Sequence, residues 1–196
     1  TLVDIAGNMN ESTGFAMTFS PLRLTSSETS ATSAFLNNTY GIQRQKVKSV
    51  TFLENQDTHT MISANAWDVS AQQDSSIYAW YEGDSTNGYD IYIWSWRGYV
   101  LANENSSYLF ANLGSGLTSG VTISGTDVLE TADTTNMASM FRGTKFNGDT
   151  IIDVDTTKAT NMSYMFYGSS VYKASGRTSL TIGERFIINK TATVTT

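Results

Sequence analysis

Three short segments of the chain share one pattern of Asn, three residues, an apolar residue and Phe: "NSSYLF" from Asn105, "NMASMF" from Asn136 and "NMSYMF" from Asn161. Their starts lie 31 and 25 residues apart. An apolar pair follows each Phe at alternating positions: Val121 and Ile123 after Phe110, Ile152 and Val154 after Phe141 at the same distances, and Leu180 and Ile182 after Phe166, three residues later. One supersecondary unit is therefore repeated, and a unit this small buries its apolar face only by stacking on a neighbour.

Within the units, Met137, Met140 and Phe141, and likewise Met162, Met165 and Phe166, fall at i, i+3 and i+4. That spacing predicts one apolar face of a short helix. Asn136 and Asn161 stand where helix-opening N–H groups need side-chain acceptors, and Gly143 and Gly168 stand where a left-handed stop belongs. Each unit thus reads as a short helix followed by a strand. Thioethers spaced M-x-x-M could in principle hold Cu(I), but core packing, in which unbranched Met fills gaps between imperfect repeats, is the favoured reading. The end of the chain, "TATVTT", repeats the lead-in "TKATN" with Thr195 and Thr196 in the places of Thr160 and Asn161. This predicts a truncated array whose apolar end is covered by further repeats or by another chain.

At 155–169, "DTTKATNMSYMFYGS" resembles the BspA-like leucine-rich repeat surface proteins of Gram-positive and Mycoplasma type, whose repeats read like "DTSNVTNMSYMFYGC", with Ser169 where Cys stands. Upstream, "VKSVTFLE" and "NAWDVSAQQDSSIYAWYE" are similar to the non-repeat segment that precedes such repeats, so the resemblance covers about 41–196. It implies an α+β fold, with an N-terminal strand-rich segment and aromatic β-hairpin leading into a short leucine-rich-repeat-like solenoid of helix-strand units. The expected divisions are residues 1–45, irregular or short-stranded and a possible anchor; 46–104, a strand-rich cap with the hairpin; and 105–196, the repeats. The resemblance further implies a secreted or cell-surface protein, tied to adhesion in some members and without a catalytic motif.

The cap is legible from alternation. In "VKSVTFLE", Val47, Ser49 and Thr51 alternate with Lys48, Val50 and Phe52, which predicts a strand with one apolar face. "SSIYAWYEGDSTNGYDIYIWSW" predicts two aromatic strands, 77–81 and 89–96, joined by a Gly/Asp/Asn turn. Both faces of this hairpin are apolar or aromatic. One is expected on the core and the other beneath a second cover, with a ligand as one candidate. Trp80, Trp94, Trp96 and Tyr99, with Arg97 beside them, form either an aromatic platform for a sugar or protein or a packing layer between hairpin and repeats.

Little else in the chain suggests chemistry. There are no cysteines, and the single histidine, His59, lies in "NQDTHTM", read as a polar exposed turn. Nucleophilic triads and His/Cys metal centres therefore have no basis, and no cofactor is implied. Asp153 and Asp155 share a strand face and could serve as an acid/base or cation pair, or simply open a turn. Asn10, Asn37, Asn105, Asn161 and Asn189 lie in N-x-S/T sequons, with Asn161 a poor glycan site inside the repeat. A net charge of -6 with only 12 scattered basic residues disfavours nucleic acid and anionic membranes as partners. No stretch is apolar enough to predict membrane insertion.

Two functions fit these observations. One is a non-enzymatic cell-surface or secreted recognition domain that binds protein or glycan. The other is a structural or receptor-binding appendage of a phage virion, anchored as a homo-oligomer through residues 1–40.

Overall fold

Aromatic and β-branched residues dominate 77–96, and the chain there folds back on itself as expected. The computed structural model describes residues 21–26, 36, 40–56, 59–148, 150–172, 180–188 and 193. Five strands form one sheet: β1 (Val47–Leu53), β2 (Ala66–Asp68), β3 (Ile77–Asp84), β4 (Gly88–Ser95) and, beyond the two-residue β5 (Val100–Leu101), β6 (Thr122–Ser124). Their order is β2-β3-β4-β1-β6. The hairpin β3-β4 is antiparallel from Ile77 opposite Ser95 to Asp84 opposite Gly88. In its loop the Asp84 carboxylate accepts the N–H groups of Thr86 and Asn87. A side chain at Gly83, whose φ is 88°, would collide with the carbonyl of Gly88, so the tight turn requires glycine there.

β1 enters between β4 and β6, parallel to both. Its buried side differs from simple alternation. Val47, Val50 and Phe52 all lie in the core, because the register shifts between Val47 and Ser49. A bulge of this kind inserts one residue and reverses the phase of everything after it.

The remaining strands are β7 (Leu129–Glu130), β8 (Lys145–Asn147), β9 (Ile151–Ile152), β10 (Ser170–Tyr172) and β11 (Thr181–Ile182). They pair in parallel, β5 with β7, β8 with β10 and β9 with β11, so successive passes of the chain lie side by side in register. The repeated Asn residues mark the same register, since Asn105 bridges Asn136, which bridges Asn161, which bridges Thr193. Thr193, rather than Thr196, therefore takes the place corresponding to Asn161.

The expected helix-strand solenoid is not what forms. Among the described residues there is no α-helix, only two 3-10 turns at Arg44–Lys46 and Ser63–Asn65. The segments read as helices are ribbons of overlapping four-residue turns. In the middle one, the N–H of Met140 donates to the carbonyl of Met137, that of Arg142 to Ser139 and that of Thr144 to Phe141. The alternate N–H groups donate to the next pass of chain instead. Ser106, Tyr108, Phe110 and Asn112 donate to Asn136, Ala138, Met140 and Arg142 at 2.8–3.1 Å, and Met137, Ser139, Phe141 and Gly143 donate to Asn161, Ser163, Met165 and Tyr167 at 2.8–2.9 Å. A helix would need those donors for its own i−4 carbonyls.

Backbone dihedrals exclude it as well. Tyr108, Ser139 and Tyr164, at equivalent positions, have φ of 59°, 56° and 56°, in the left-handed region that a right-handed helix forbids. The i, i+3, i+4 spacing is nonetheless correct as a burial pattern, because each turn returns its flanking residues to the same side. Met137, Met140, Phe141, Met162 and Met165 are buried in one continuous core with Phe52, Phe110, Ile91 and Ile93, and Phe166 packs against it. Asn136 and Asn161 do supply the expected acceptors, to the N–H of Ala138 and of Ser163, but they open turns.

Among the described residues no preceding pass donates to the first ribbon's carbonyls, and buried Arg44 reaches two of them. Ala111 stands at a position that the preceding pass serves in the next ribbon, and Tyr108 also accepts from Ala111 N–H. Arg44 Nη1 donates to the carbonyls of Tyr108 and Ala111 at 2.9 and 2.7 Å. Burial lowers the guanidinium pKa to about 10, which leaves it charged at neutral pH. Parts of the first 45 residues join the same body, since Leu24, Leu36 and Ile42 are buried core residues. The anchor role considered for this segment otherwise falls on residues outside those described.

The ribbon geometry sets the sign of a substitution at Ser139. With φ of 56°, Ser139→Gly should leave stability within about 0.5 kcal/mol or raise it by up to about 1 kcal/mol, whereas Ser139→Val should cost more than about 1 kcal/mol, measured by urea unfolding. In a helix the glycine would instead lower stability, by about 0.5 kcal/mol relative to serine.

Candidate functional site

Cross-strand pairing fixes which hairpin side chains share a face. Ile77, Ala79, Ile91 and Ile93 point into the main core. The opposite face carries Tyr78 beside Trp94 and Trp80 beside Tyr92, next to Leu53 of β1. Leu53, Trp80 and Tyr92 form a second buried cluster with Met61, Ala66 and Trp94 against it. The expected second cover of this face is thus supplied partly by the chain itself, from the segment that follows β1. His59 is half-buried, its ring stacked on Tyr92 with centroids 4.2 Å apart, rather than free in an exposed turn. The Tyr92 phenol is pushed up from its ordinary pKa by burial, with Glu82 and Asp90 adding to the effect.

The residues singled out from the sequence divide here. Trp80 is fully buried, stacked on Tyr92 at 5.6 Å, with no hydrogen-bond partner for its indole N–H among the described residues. It belongs to the packing layer. Trp94, Trp96 and Arg97 instead line a hollow of about 590 Å³ together with Glu54, Asn55, Gln56 and Gly98. Trp96 is 61% exposed, and the Arg97 guanidinium lies over its ring, 5.2 Å from the centroid. Tyr99 adjoins them, its hydroxyl 3.5 Å from Arg97 Nη1. Four of the five residues therefore form one group, with Trp94 half-buried and Trp96, Arg97 and Tyr99 exposed.

Glu54, Asn55 and Gln56 carry no signal in the sequence beyond being polar. They reach the site because β1 and β4 are parallel neighbours with Leu53 opposite Trp94, so the loops leaving their C-terminal ends emerge at the same edge. The hollow then combines a half-buried and an exposed indole with a guanidinium, a carboxylate and two amides. That set offers apolar faces for stacking and both donors and acceptors for hydroxyl groups.

The other candidates are occupied structurally. Asp153 pairs with Arg185 at 3.3 Å, and Asp155 accepts the N–H and hydroxyl of Thr157, which is the turn-opening role. Among the described residues no three His, Asp or Glu side chains gather as a metal site. Asn161 is half-buried and accepts from Ser163 N–H and hydroxyl, while Asn10, Asn37 and Asn189 lie outside the described residues. A second hollow, about 350 Å³ and apolar, lies in the last pass between Phe146, Phe166, Val171, Leu180 and Ile182. Ile182 of its lining is exposed, as are Ile187 and Ile188 further along the chain. No described helix is long and apolar enough to cross a membrane.

Residues 105–178, less than half of the chain, match the model of a family described as Mycoplasma protein of unknown function, DUF285. That family is associated with BspA-like repeat proteins, which supports the resemblance read from the repeats at that level. No curated protein and no solved structure matches the chain.

Several surface carboxylates are held below their ordinary pKa, which gives stability a direction with pH. Asp133 is lowered by hydrogen bonds from Lys158 and Arg23, and Asp84 by the N–H and side chain of Asn87 and the N–H of Thr86. At Asp155 burial works upward but is outweighed by the bonds from Thr157. As pH falls, the unfolded chain takes up protons on these groups before the folded one does. The urea midpoint should therefore be flat from about pH 7 to pH 5 and fall below about pH 4. Asp133→Asn should make that fall shallower, and a midpoint that rises on acidification would contradict the assignment.

Proposed function

We propose that the chain is a non-enzymatic recognition domain, acting at a cell surface or after secretion, that binds a glycan in the hollow between β1 and β4. The observation that carries this reading is Trp96, an indole 61% exposed at the rim of a concave, mixed-polarity hollow with Arg97 stacked on it. Single exposed apolar residues are ordinary on a protein surface. An exposed indole beside a half-buried one, a guanidinium and a carboxylate in a single concavity offers sugar C–H faces a stacking surface and sugar hydroxyls both donors and acceptors.

The hollow is large enough for a glycan. A hollow of about 590 Å³ falls in the range of small-ligand sites, of order 300–1,000 Å³. The acidic, weakly charged surface, with 15% charged residues and a net charge of -6, suits an extracellular binding module.

Glycan-array screening followed by calorimetry on the leading hit tests the proposal. Trp96→Ala should weaken binding at least about tenfold, or 1.4 kcal/mol, while the melting temperature stays within about 2 °C, because so exposed a ring contributes little to the fold. An array without hits, or full binding by Trp96→Ala, would defeat it.

A further inference from the structure

Resting on the reading of the β1/β4 hollow as a glycan site, we infer that its ligand is a sugar bearing a carboxylate, of the uronic or sialic acid type, and that Arg97 selects it.

The argument starts from how the chain uses its arginines. Arg23 lies near two carboxylates, Asp133 at 3.1 Å and Glu104 at 3.9 Å, and Arg185 near Asp153 at 3.3 Å and Glu130 at 3.9 Å. Arg44 is buried on backbone carbonyls. Arg97 differs from all three, and so does Arg142, which is exposed and lies over the Tyr167 ring at 5.3 Å with no carboxylate partner among the described residues, but of these two it is Arg97 that lines the hollow. It is exposed, and among the described residues no carboxylate lies within ion-pairing distance, although Glu54 lines the same hollow. Its one side-chain hydrogen bond is the long contact to the Tyr99 hydroxyl. In a chain with 18 acidic and 12 basic residues, a guanidinium left without an acid inside a concavity has open donors where a ligand would sit.

The guanidinium is also oriented. Its position over the Trp96 ring, 5.2 Å from the centroid, restricts the side chain, so less freedom is lost when its paired N–H groups meet a planar carboxylate than for an unsupported side chain. Glu54 adds direction. Like charges repel, so a ligand carboxylate is turned away from Glu54 and toward Arg97, while hydroxyl groups, as donors, face Glu54. The net charge of -6 works against an anion at long range. Selection for the charge must then come from the contact with Arg97 and vanish with it.

Calorimetry with five probes tests this: a disaccharide ending in glucuronic acid, its methyl ester, the corresponding disaccharide ending in glucose, and sialyllactose set against lactose. The wild-type protein should bind at least one acidic probe about tenfold or more tightly than its neutral counterpart, and the methyl ester should behave as neutral. Arg97→Gln should bring acidic and neutral probes to within about twofold of each other, and Arg97→Lys should keep part of the preference, with the melting temperature of both variants unchanged. Whether the glucuronate or the sialyl probe shows the preference separates the two sources of the carboxylate. Equal binding of acidic and neutral probes by the wild type, or a preference that survives Arg97→Gln, would overturn the inference and leave the glycan reading standing. Absence of binding to every sugar would end both.

Discussion

Phe110, Phe141 and Phe166 stack face to face through the molecule, with centroids 5.3 and 5.2 Å apart and ring planes within 12° and 7°. These distances are set by the backbone. Parallel neighbouring strands run about 4.8 Å apart, so identical side chains at identical register must lie one above the other. Offset-stacked rings prefer separations of about 4.5–7 Å, and the backbone spacing falls inside that range. The hydrogen bonds from ribbon to ribbon and the column of rings therefore enforce the same register, and loss of either would loosen the other.

The column also carries the hairpin. Phe52 of β1 meets Phe110 edge to face at 6.1 Å, which fastens the five-stranded sheet to the first ribbon. Because Phe52 is one residue from Leu53, the packing that seats it also fixes where β1 ends and where Glu54, Asn55 and Gln56 emerge beside Trp94. The hollow is thus built by two loops whose bases are held by strand pairing.

How far the sequence reveals this depends on which contacts are local. The β3-β4 hairpin is legible because its strands are adjacent in the chain and its turn residues lie between them. The interior Met and Phe residues are legible because burial repeats with the units. The local conformation of those units is not, since four-residue turns and a helix both return residues i, i+3 and i+4 to one side. What decides between them is the positive φ at Ser139 and Tyr164 and donors spent on a neighbour 24 or 30 residues away. The bulge in β1 and the meeting of Glu54 with Trp96 are equally hidden, because both depend on parallel pairing across about forty residues. Trp80 illustrates the converse: its alternation with Ile77 and Ala79 places it correctly on the second face, but only the cover that includes Met61 shows it to be interior.

The account stands on register enforced between neighbouring passes, and a double-mutant cycle along the column measures that directly. With Leu substitutions at Phe110, Phe141 and Phe166, urea unfolding should show a coupling of about 0.5–1.5 kcal/mol for Phe110 with Phe141 and for Phe141 with Phe166, and none beyond error for Phe110 with Phe166. Coupling absent from both adjacent pairs, or equal between the two ends, would contradict a column built by in-register stacking.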